Sequence, residues 1–107
     1  MKILVTGALG QIGSELSTTL KKIYGEKNVI TSDLHSSNIK DEFQPYETLN
    51  ILDKQALAKV VKKHEITTIY HLAAILSATG EKNPQLCFDV NIIGLYNILE
   101  VARELKI

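Results

Sequence analysis

Cysteine is almost missing: Cys87 is the single one in 107 residues, so an internal disulfide is excluded. It falls in an apolar helical pattern, where a small buried thiol is the ordinary expectation. Charge of one sign is missing as well, because 12 Lys and Arg balance 12 Asp and Glu. No overall field favours nucleic acid, a membrane surface or a polyanionic substrate, which leaves small molecules or other proteins as partners. The chain has no long apolar run, and therefore no candidate for a membrane-spanning helix. Met1-Lys2-Ile3-Leu4-Val5 leads straight into a strand-like segment without a secretory apolar region, so a cytoplasmic location is expected. Metal-ligand spacing is absent too. His64-Glu65 opens like a zinc-protease helix motif, but Thr68 stands where the second histidine is needed, so no metal site is expected.

The residues present include 45% hydrophobic ones, enough for one folded domain with one core. Ile3-Leu4-Val5-Thr6 is a short β-branched apolar run stopping at Gly7, the pattern of a strand buried on both faces. From Gln11 the period becomes helical: Ile12, Leu16, Leu20 and Ile23 form one stripe, and Gly25 supplies a stop. Asn28 to Ser32 restores a strand. This completes a strand-helix-strand unit whose two strands run parallel. Residues 34–46 are polar, contain Pro45 and read as a surface loop. Glu47 to Ile51 is a weak third strand, and Asp53 caps a helix whose Ala56, Leu57, Val60 and Val61 share a face. Thr67 to Leu72 reads as a fourth strand. Pro84 starts a final helix of about five turns, with Leu86, Val90, Ile93, Asn97, Val101 and Leu105 along its seam. Strands alternating with helices predict an α/β fold, a doubly wound parallel sheet of order 3-2-1-4.

The strongest chemical signal is Gly7-Ala8-Leu9-Gly10-Gln11-Ile12-Gly13, which joins the end of a strand to the start of a helix. Gly7 allows the chain to reverse, Gly10 lets a ligand's diphosphate approach the backbone, and Gly13 lets the helix lie close on the sheet. The first N–H groups of the helix lack intrahelical partners and sit at its positive end, ready for phosphate. Two residues separate Gly7 from Gly10, where the general dinucleotide fingerprint has one, so the motif is a variant. Asp33 ends the second strand 20 residues after Gly13, where a carboxylate accepts from the adenosine ribose hydroxyls. A 2′-phosphate there would meet a like charge with no Arg nearby, which favours NAD over NADP. His71-Leu72-Ala73-Ala74 ends the fourth strand beside the point where strand order reverses, and its small residues admit a cofactor close to the backbone. His71 itself reads as a hydrogen-bonded structural residue ahead of a proton carrier. Lys21-Lys22 and Lys62-Lys63 read as solvated helix faces.

With these pieces in place, the chain resembles the first part of an extended short-chain dehydrogenase/reductase, of the NAD-dependent epimerase/dehydratase family. Gly7 through Leu16 and His71 through Pro84 are most similar to short-chain-type L-threonine 3-dehydrogenases, and the likeness runs on to Asn91-Ile92-Ile93-Gly94. The resemblance implies diphosphate contacts at Gly7, Gly10, Gln11, Ile12 and Gly13, a ribose contact at Asp33, and backbone contacts at Leu72, Ala73 and Ala74. It also implies that Asn50 and Ile51 face the adenine. The family usually has Asp at position 50; the amide oxygen of Asn50 is expected to accept from the adenine amino group instead. Asn91 would support the cofactor side of the site, and Ser77 would border the substrate. Members of the family use a Tyr with a Lys four residues later to exchange a proton during hydride transfer. Here Tyr24, Tyr46, Tyr70 and Tyr96 precede Asn28, Asn50, Ala74 and Glu100 at that spacing, so no catalytic residue is assigned. Residues 1–107 are thus expected to be an incomplete Rossmann-type NAD-binding domain, truncated before a fifth strand and without its substrate domain. The parent would be a homodimeric oxidoreductase acting on L-threonine. The alternatives are part of a nucleotide-sugar epimerase or dehydratase, or a catalytically inactive NAD-binding fragment.

Overall fold

Ile3, Leu4 and Val5 have no exposed surface at all, and successive strand side chains point to opposite faces, so the first strand must be covered on both sides. The computed structural model, which describes residues 1–75 and 81–107, shows how. β1 (Ile3–Thr6), β2 (Val29–Asp33), β3 (Tyr46–Thr48) and β4 (Thr68–His71) form one parallel sheet in the order β3-β2-β1-β4. Against one face lies helix α1 (Gln11–Tyr24), over a core of Ile3, Val5, Ala8, Leu20 and Val29. The other face carries α2 (Lys54–Lys63) and the last helix, over Leu4, Ile30, Leu57, Val61, Ile98 and Val101. The α/β architecture and strand order read from the sequence are those observed. No helix among the described residues is long and apolar enough to cross a membrane.

The face of α1 differs from the expected stripe. Ile12 and Ile23 are 71% and 64% exposed, and the residues turned to the sheet are Gly13, Ser17, Leu20 and Lys21. Small residues take that face because the helix starts directly above β1: a Cβ on Gly13 would collide with the Gly7 carbonyl oxygen and stand 2.9 Å from Ala8 Cα. Lys21, expected on a solvated face, is 8% exposed. Its Nζ donates to the carbonyl oxygens of Glu42 and Gln44, both at 2.6 Å, in the loop before β3. Burial pulls the Lys21 pKa down, while Glu26 and Glu42 oppose the shift. Those two bonds, with Thr31 N–H to the Pro45 carbonyl at 3.0 Å, pin the segment read as a surface loop. It contains a short 3-10 turn, Asp41–Phe43.

Two boundaries also move. β3 covers Tyr46–Thr48 instead of Glu47–Ile51: past Thr48 the chain leaves the sheet, with Leu49 N–H bonded to the Asp33 carbonyl at 2.9 Å. Asp53 caps α2 as expected, its Oδ1 accepting from Ala56 N–H at 3.0 Å. The final helix is interrupted. α3 (Pro84–Phe88) passes through a π-helical segment (Asp89–Gly94) into α4 (Leu95–Leu105). The wider turn shifts the inward face: Leu86 and Ile93 are 38% and 41% exposed, while Gly94, Asn97, Ile98 and Val101 are buried. Cys87 is half-buried.

At the β3 edge, His64, which ends α2, bonds through Nε2 to Glu47 Oε2, and Lys63 Nζ meets the same oxygen at 2.8 Å. Burial pushes the Glu47 carboxyl up, but the hydrogen bonds and charges of Lys63 and His64 outweigh it and hold the group below the ordinary value of 4.5. A carboxyl depressed by folding stabilises the native state above its unfolded pKa and loses that contribution as pH falls through the folded value. The chain is therefore expected to lose stability as pH drops below about 4.5, and Glu47→Gln to flatten that limb of a urea-denaturation series. A limb equally steep in the variant would assign the acid sensitivity elsewhere.

Candidate functional site

Three strands of a parallel sheet end together where the chain turns over them, and the turns leave a gap. At the carboxyl ends of β1, β2 and β4 a cleft of about 190 Å³ opens, with Thr6, Gly7 and Gly10 on its floor. Asp33, the last residue of β2, and Leu34 lie on one side, joined by Leu49, Asn50 and Ile51 after β3. Leu72 to Ile75 and Val90 form the other side. β1 has β2 on one flank and β4 on the other, so the cleft sits at the reversal of strand order, where open α/β sheets bind their ligands.

The glycine turn shapes the floor. Gly7 has φ +65°, and a Cβ there would lie 2.7 Å from Ala73 N and 2.8 Å from the Leu72 carbonyl carbon. Gly10 differs: an added Cβ would meet only the Gly7 carbonyl oxygen, at 3.4 Å, so the chain itself leaves room there. Helix α1 starts at this point without an acidic residue in its first turn. Its first intrahelical bond runs from Ser14 N–H to the Gly10 carbonyl at 2.9 Å. The N–H groups of Gln11, Ile12 and Gly13 are thus left without helix partners at the positive end of the dipole. That open cradle fits a diphosphate.

Asp33 is more than a solvated acid at a strand end. Its Oδ2 accepts from Leu9 N–H at 3.0 Å and its Oδ1 from Leu34 N–H at 2.8 Å, so it ties the glycine turn to β2. Each oxygen keeps a further lone pair for the cleft. Ser32 Oγ, fully buried, donates to the Val5 carbonyl at 2.9 Å.

Thr6 is a hub that the sequence reading missed. Its Oγ1 accepts from Leu72 N–H at 3.0 Å and Ala73 N–H at 3.3 Å and lies 2.7 Å from His71 Nδ1. With two donors already pointing at it, the hydroxyl hydrogen goes to Nδ1, which leaves a neutral imidazole protonated on Nε2. Burial lowers the His71 pKa in the same sense, consistent with a structural histidine. Leu72 and Ala73 consequently offer the cleft their carbonyls and side chains, their N–H groups being engaged. The available signal was a lone β-branched hydroxyl at the last strand position before the glycines.

Asn50 and Ile51 line the cleft, and the Asn50 side chain is oriented by its own backbone. Oδ1 accepts from Leu52 N–H at 3.0 Å. Ile51 is held from below, with Asn97 Nδ2 donating to its carbonyl at 2.9 Å. Gly94 sits beneath its side chain, where a Cβ would come within 2.5 Å of Cδ1. Neither Asn97 nor Gly94 was read as part of the site. Asn91 does not line the cleft. Its Oδ1 accepts from Ile75 N–H at 2.7 Å and its Nδ2 donates to the Ile75 carbonyl at 3.1 Å, which clamps the segment after β4. Ser77 lies outside the described residues.

A glycine turn under an open helix N-terminus and a carboxylate beside it, at the switch point of a parallel sheet, are the arrangement of an α/β protein of Rossmann type. The NAD dependent epimerase/dehydratase family matches residues 3–107, so the chain belongs to that family and its cofactor is NAD. It is 49% identical to the GalE-like L-threonine dehydrogenase from Cupriavidus necator in its holo form, with a TM-score of 0.93 over 99% of this chain and 34% of that one. A UDP-glucose-4-epimerase structure from Stenotrophomonas maltophila, with bound NAD and formylated UDP-arabinopyranose, is 26% identical, with a TM-score of 0.81 over 96% of this chain and 33% of that one. An uncharacterized epimerase/dehydratase of Staphylococcus saprophyticus is 44% identical over 99% of this chain and 34% of its own length. The chain spans about a third of the length of these relatives.

Proposed function

We propose that residues 1–107 form the NAD-binding domain of an oxidoreductase that acts on L-threonine. What supports the reading is that threonine dehydrogenase structures are 34–49% identical to the chain, against 26% for a UDP-glucose-4-epimerase and 33% for an epimerase from Methanothermobacter thermautotrophicus. NAD, when bound, would supply the hydride acceptor. Loss of hydride from threonine C3, with loss of the hydroxyl proton, leaves 2-amino-3-oxobutanoate. In this proposal the N–H groups of Gln11, Ile12 and Gly13 hold the diphosphate beside Gly7 and Gly10, and the Asp33 carboxylate accepts from the adenosine ribose. The adenine lies along Leu34, Asn50 and Ile51. Leu72, Ala73 and Ala74 flank the cofactor on the β4 side, and Asn91 keeps that segment in place through Ile75. Ser77 borders the substrate. A Tyr-x-x-x-Lys pair is absent from these 107 residues, so the proton-exchanging group would come from the rest of a longer, homodimeric protein.

The test is NADH formation by the full-length protein supplied with L-threonine. Turnover of a UDP-sugar without any NADH from threonine would replace this reading by the nucleotide-sugar epimerase or dehydratase alternative. Binding of NAD with neither activity would leave a cofactor-binding module.

A further inference from the structure

One hydroxyl holds the β4 side of the cleft. Thr6 Oγ1 lies 2.7 Å from His71 Nδ1 and accepts from Leu72 N–H at 3.0 Å and Ala73 N–H at 3.3 Å. Leu72 N–H also reaches the Thr6 carbonyl oxygen, at 3.2 Å, whereas Ala73 N–H has no second partner among the described residues. Both residues line the cleft and press on its floor, since a Cβ on Gly7 would fall against Ala73 N and the Leu72 carbonyl carbon. A hydroxyl has one hydrogen to donate and two lone pairs. With the lone pairs turned to backbone N–H groups, the hydrogen needs an acceptor, and among the described residues Nδ1 is the one in reach. The arrangement therefore requires an unprotonated Nδ1, which is a neutral His71.

We propose that His71 is a positioning residue whose neutral ring holds the β4 wall in its cofactor-binding form, so that protonation of His71 loosens that wall and weakens NAD binding. The proposal rests on the NAD reading above and adds a regulation to the same site. A protonated ring donates from both nitrogens. That sets three N–H donors against the two lone pairs of Thr6 Oγ1 and leaves the hydroxyl hydrogen without an acceptor. Ala73 N–H, the longest of the three bonds and the one without a second partner, is displaced, and the segment packed on Gly7 loses its tie to β1. Nothing around the ring offsets a positive charge. Alternation along the strands puts Thr6 and His71 on the face of Leu4 and Ile69, under α2 and the last helix. The ionisable groups of α2 are Lys54, Lys59, Lys62 and Lys63. On the last helix Glu100 and Glu104 are paired with Arg103 and Lys54, Asp89 accepts from Gln85, and the other titratable side chains are Cys87 and Tyr96. Tyr70, next to His71 on β4, packs on the opposite face. Burial lowers the His71 pKa from its ordinary 6.5, and no charged group contributes to the shift. The ring is thus neutral at neutral pH, and the neutral form is given up only as pH falls below that value.

The experiment is isothermal titration of the full-length protein with NAD at about pH 7.5 and about pH 5, a window in which histidine and not carboxylate titration dominates, with circular dichroism at each pH to verify the fold. It is repeated on His71→Asn, whose amide oxygen takes the place of Nδ1 without titrating, and on His71→Leu, which offers no acceptor. The dissociation constant of the unmodified protein is expected to rise by at least about threefold at the lower pH, one proton limiting the rise to about tenfold per pH unit. That of His71→Asn is expected to change by less than about threefold. At the higher pH His71→Leu is expected to bind about tenfold more weakly than the unmodified protein, and His71→Asn to recover most of the loss. An affinity of the unmodified protein that is flat between the two pH values overturns the inference, leaves the cofactor reading intact and needs no variant to observe. An equal fall in His71→Asn, or a fall that accompanies unfolding, overturns it as well. If His71→Leu does not fold, the comparison of the unmodified protein with His71→Asn decides alone. Absence of NAD binding at both pH values overturns the cofactor reading and this inference with it.

Discussion

Gly13→Ala is expected to lower the melting temperature by about 10 °C, whereas Gly10→Ala melts within a few degrees of the unmodified chain and loses NAD affinity instead. The two glycines are three residues apart in one motif, and only their surroundings separate them. At position 13 the added methyl meets the Gly7 carbonyl oxygen and Ala8 Cα. Both are backbone atoms, so no rotamer change relieves the clash and α1 must lift off β1. Overpacking of this kind costs about 3 kcal/mol, and the better helix propensity of alanine returns about 1. The net of about 2 kcal/mol corresponds to roughly 10 °C for a domain of this size. At position 10 the backbone is extended, with φ −74° and ψ 174°, and the methyl makes one ordinary contact, 3.4 Å from the Gly7 carbonyl oxygen, at a helix-cap cost of about 0.5 kcal/mol. The room beyond that contact is where a diphosphate would approach, so NAD binding is expected to weaken by about 30-fold, equivalent to about 2 kcal/mol. Differential scanning fluorimetry and a titration with NADH read the two effects separately. If both variants melt alike, the close approach of α1 to β1 is wrong; if Gly10→Ala binds NADH normally, the diphosphate lies elsewhere.

Features carried by neighbours in the chain were legible in the sequence. β1 is an uninterrupted apolar run because helices cover both of its faces, and the glycine turn and the Asp53 cap are local motifs whose partners lie within a few residues. What escaped reading depends on chain segments far apart. Lys21 looked solvated because its acceptors, the carbonyls of residues 42 and 44, arrive only when the loop before β3 folds over α1. Ile12 and Ile23 fitted the helical period, yet the tight approach at Gly13 turns them outward. The final helix is apolar on several sides: Phe88, Ile92, Leu95 and Leu99 are 42–59% exposed. Periodicity could not choose its inward face there, and nothing local announced the π-helical turn. Thr6, Asn97 and Gly94 became part of the site only through contacts with residues dozens of positions away, which no spacing rule encodes.

Removing the acid that closes β2 should have the larger effect on cofactor choice. Asp33→Ala is expected to weaken NAD binding by about 100-fold or more, because charge-assisted hydrogen bonds to two ribose hydroxyls are worth about 1.5–3 kcal/mol each. The same carboxylate also accepts from Leu9 and Leu34 N–H, so its loss loosens the glycine turn, and affinity for NAD alone cannot separate these two roles. NADP separates them. A loosened diphosphate cradle penalises NAD and NADP equally, since both carry the same diphosphate, and leaves their ratio unchanged. The carboxylate acts against NADP alone through repulsion of the 2′-phosphate, with no arginine to offset it: Arg103, the one arginine of the chain, is paired with Glu100 on α4. The unmodified chain is therefore expected to prefer NAD by about 100-fold, and Asp33→Ala to bring the ratio to within about tenfold of unity. A ratio that survives the substitution would reduce Asp33 to a brace for the turn and move cofactor selection to another part of the cleft.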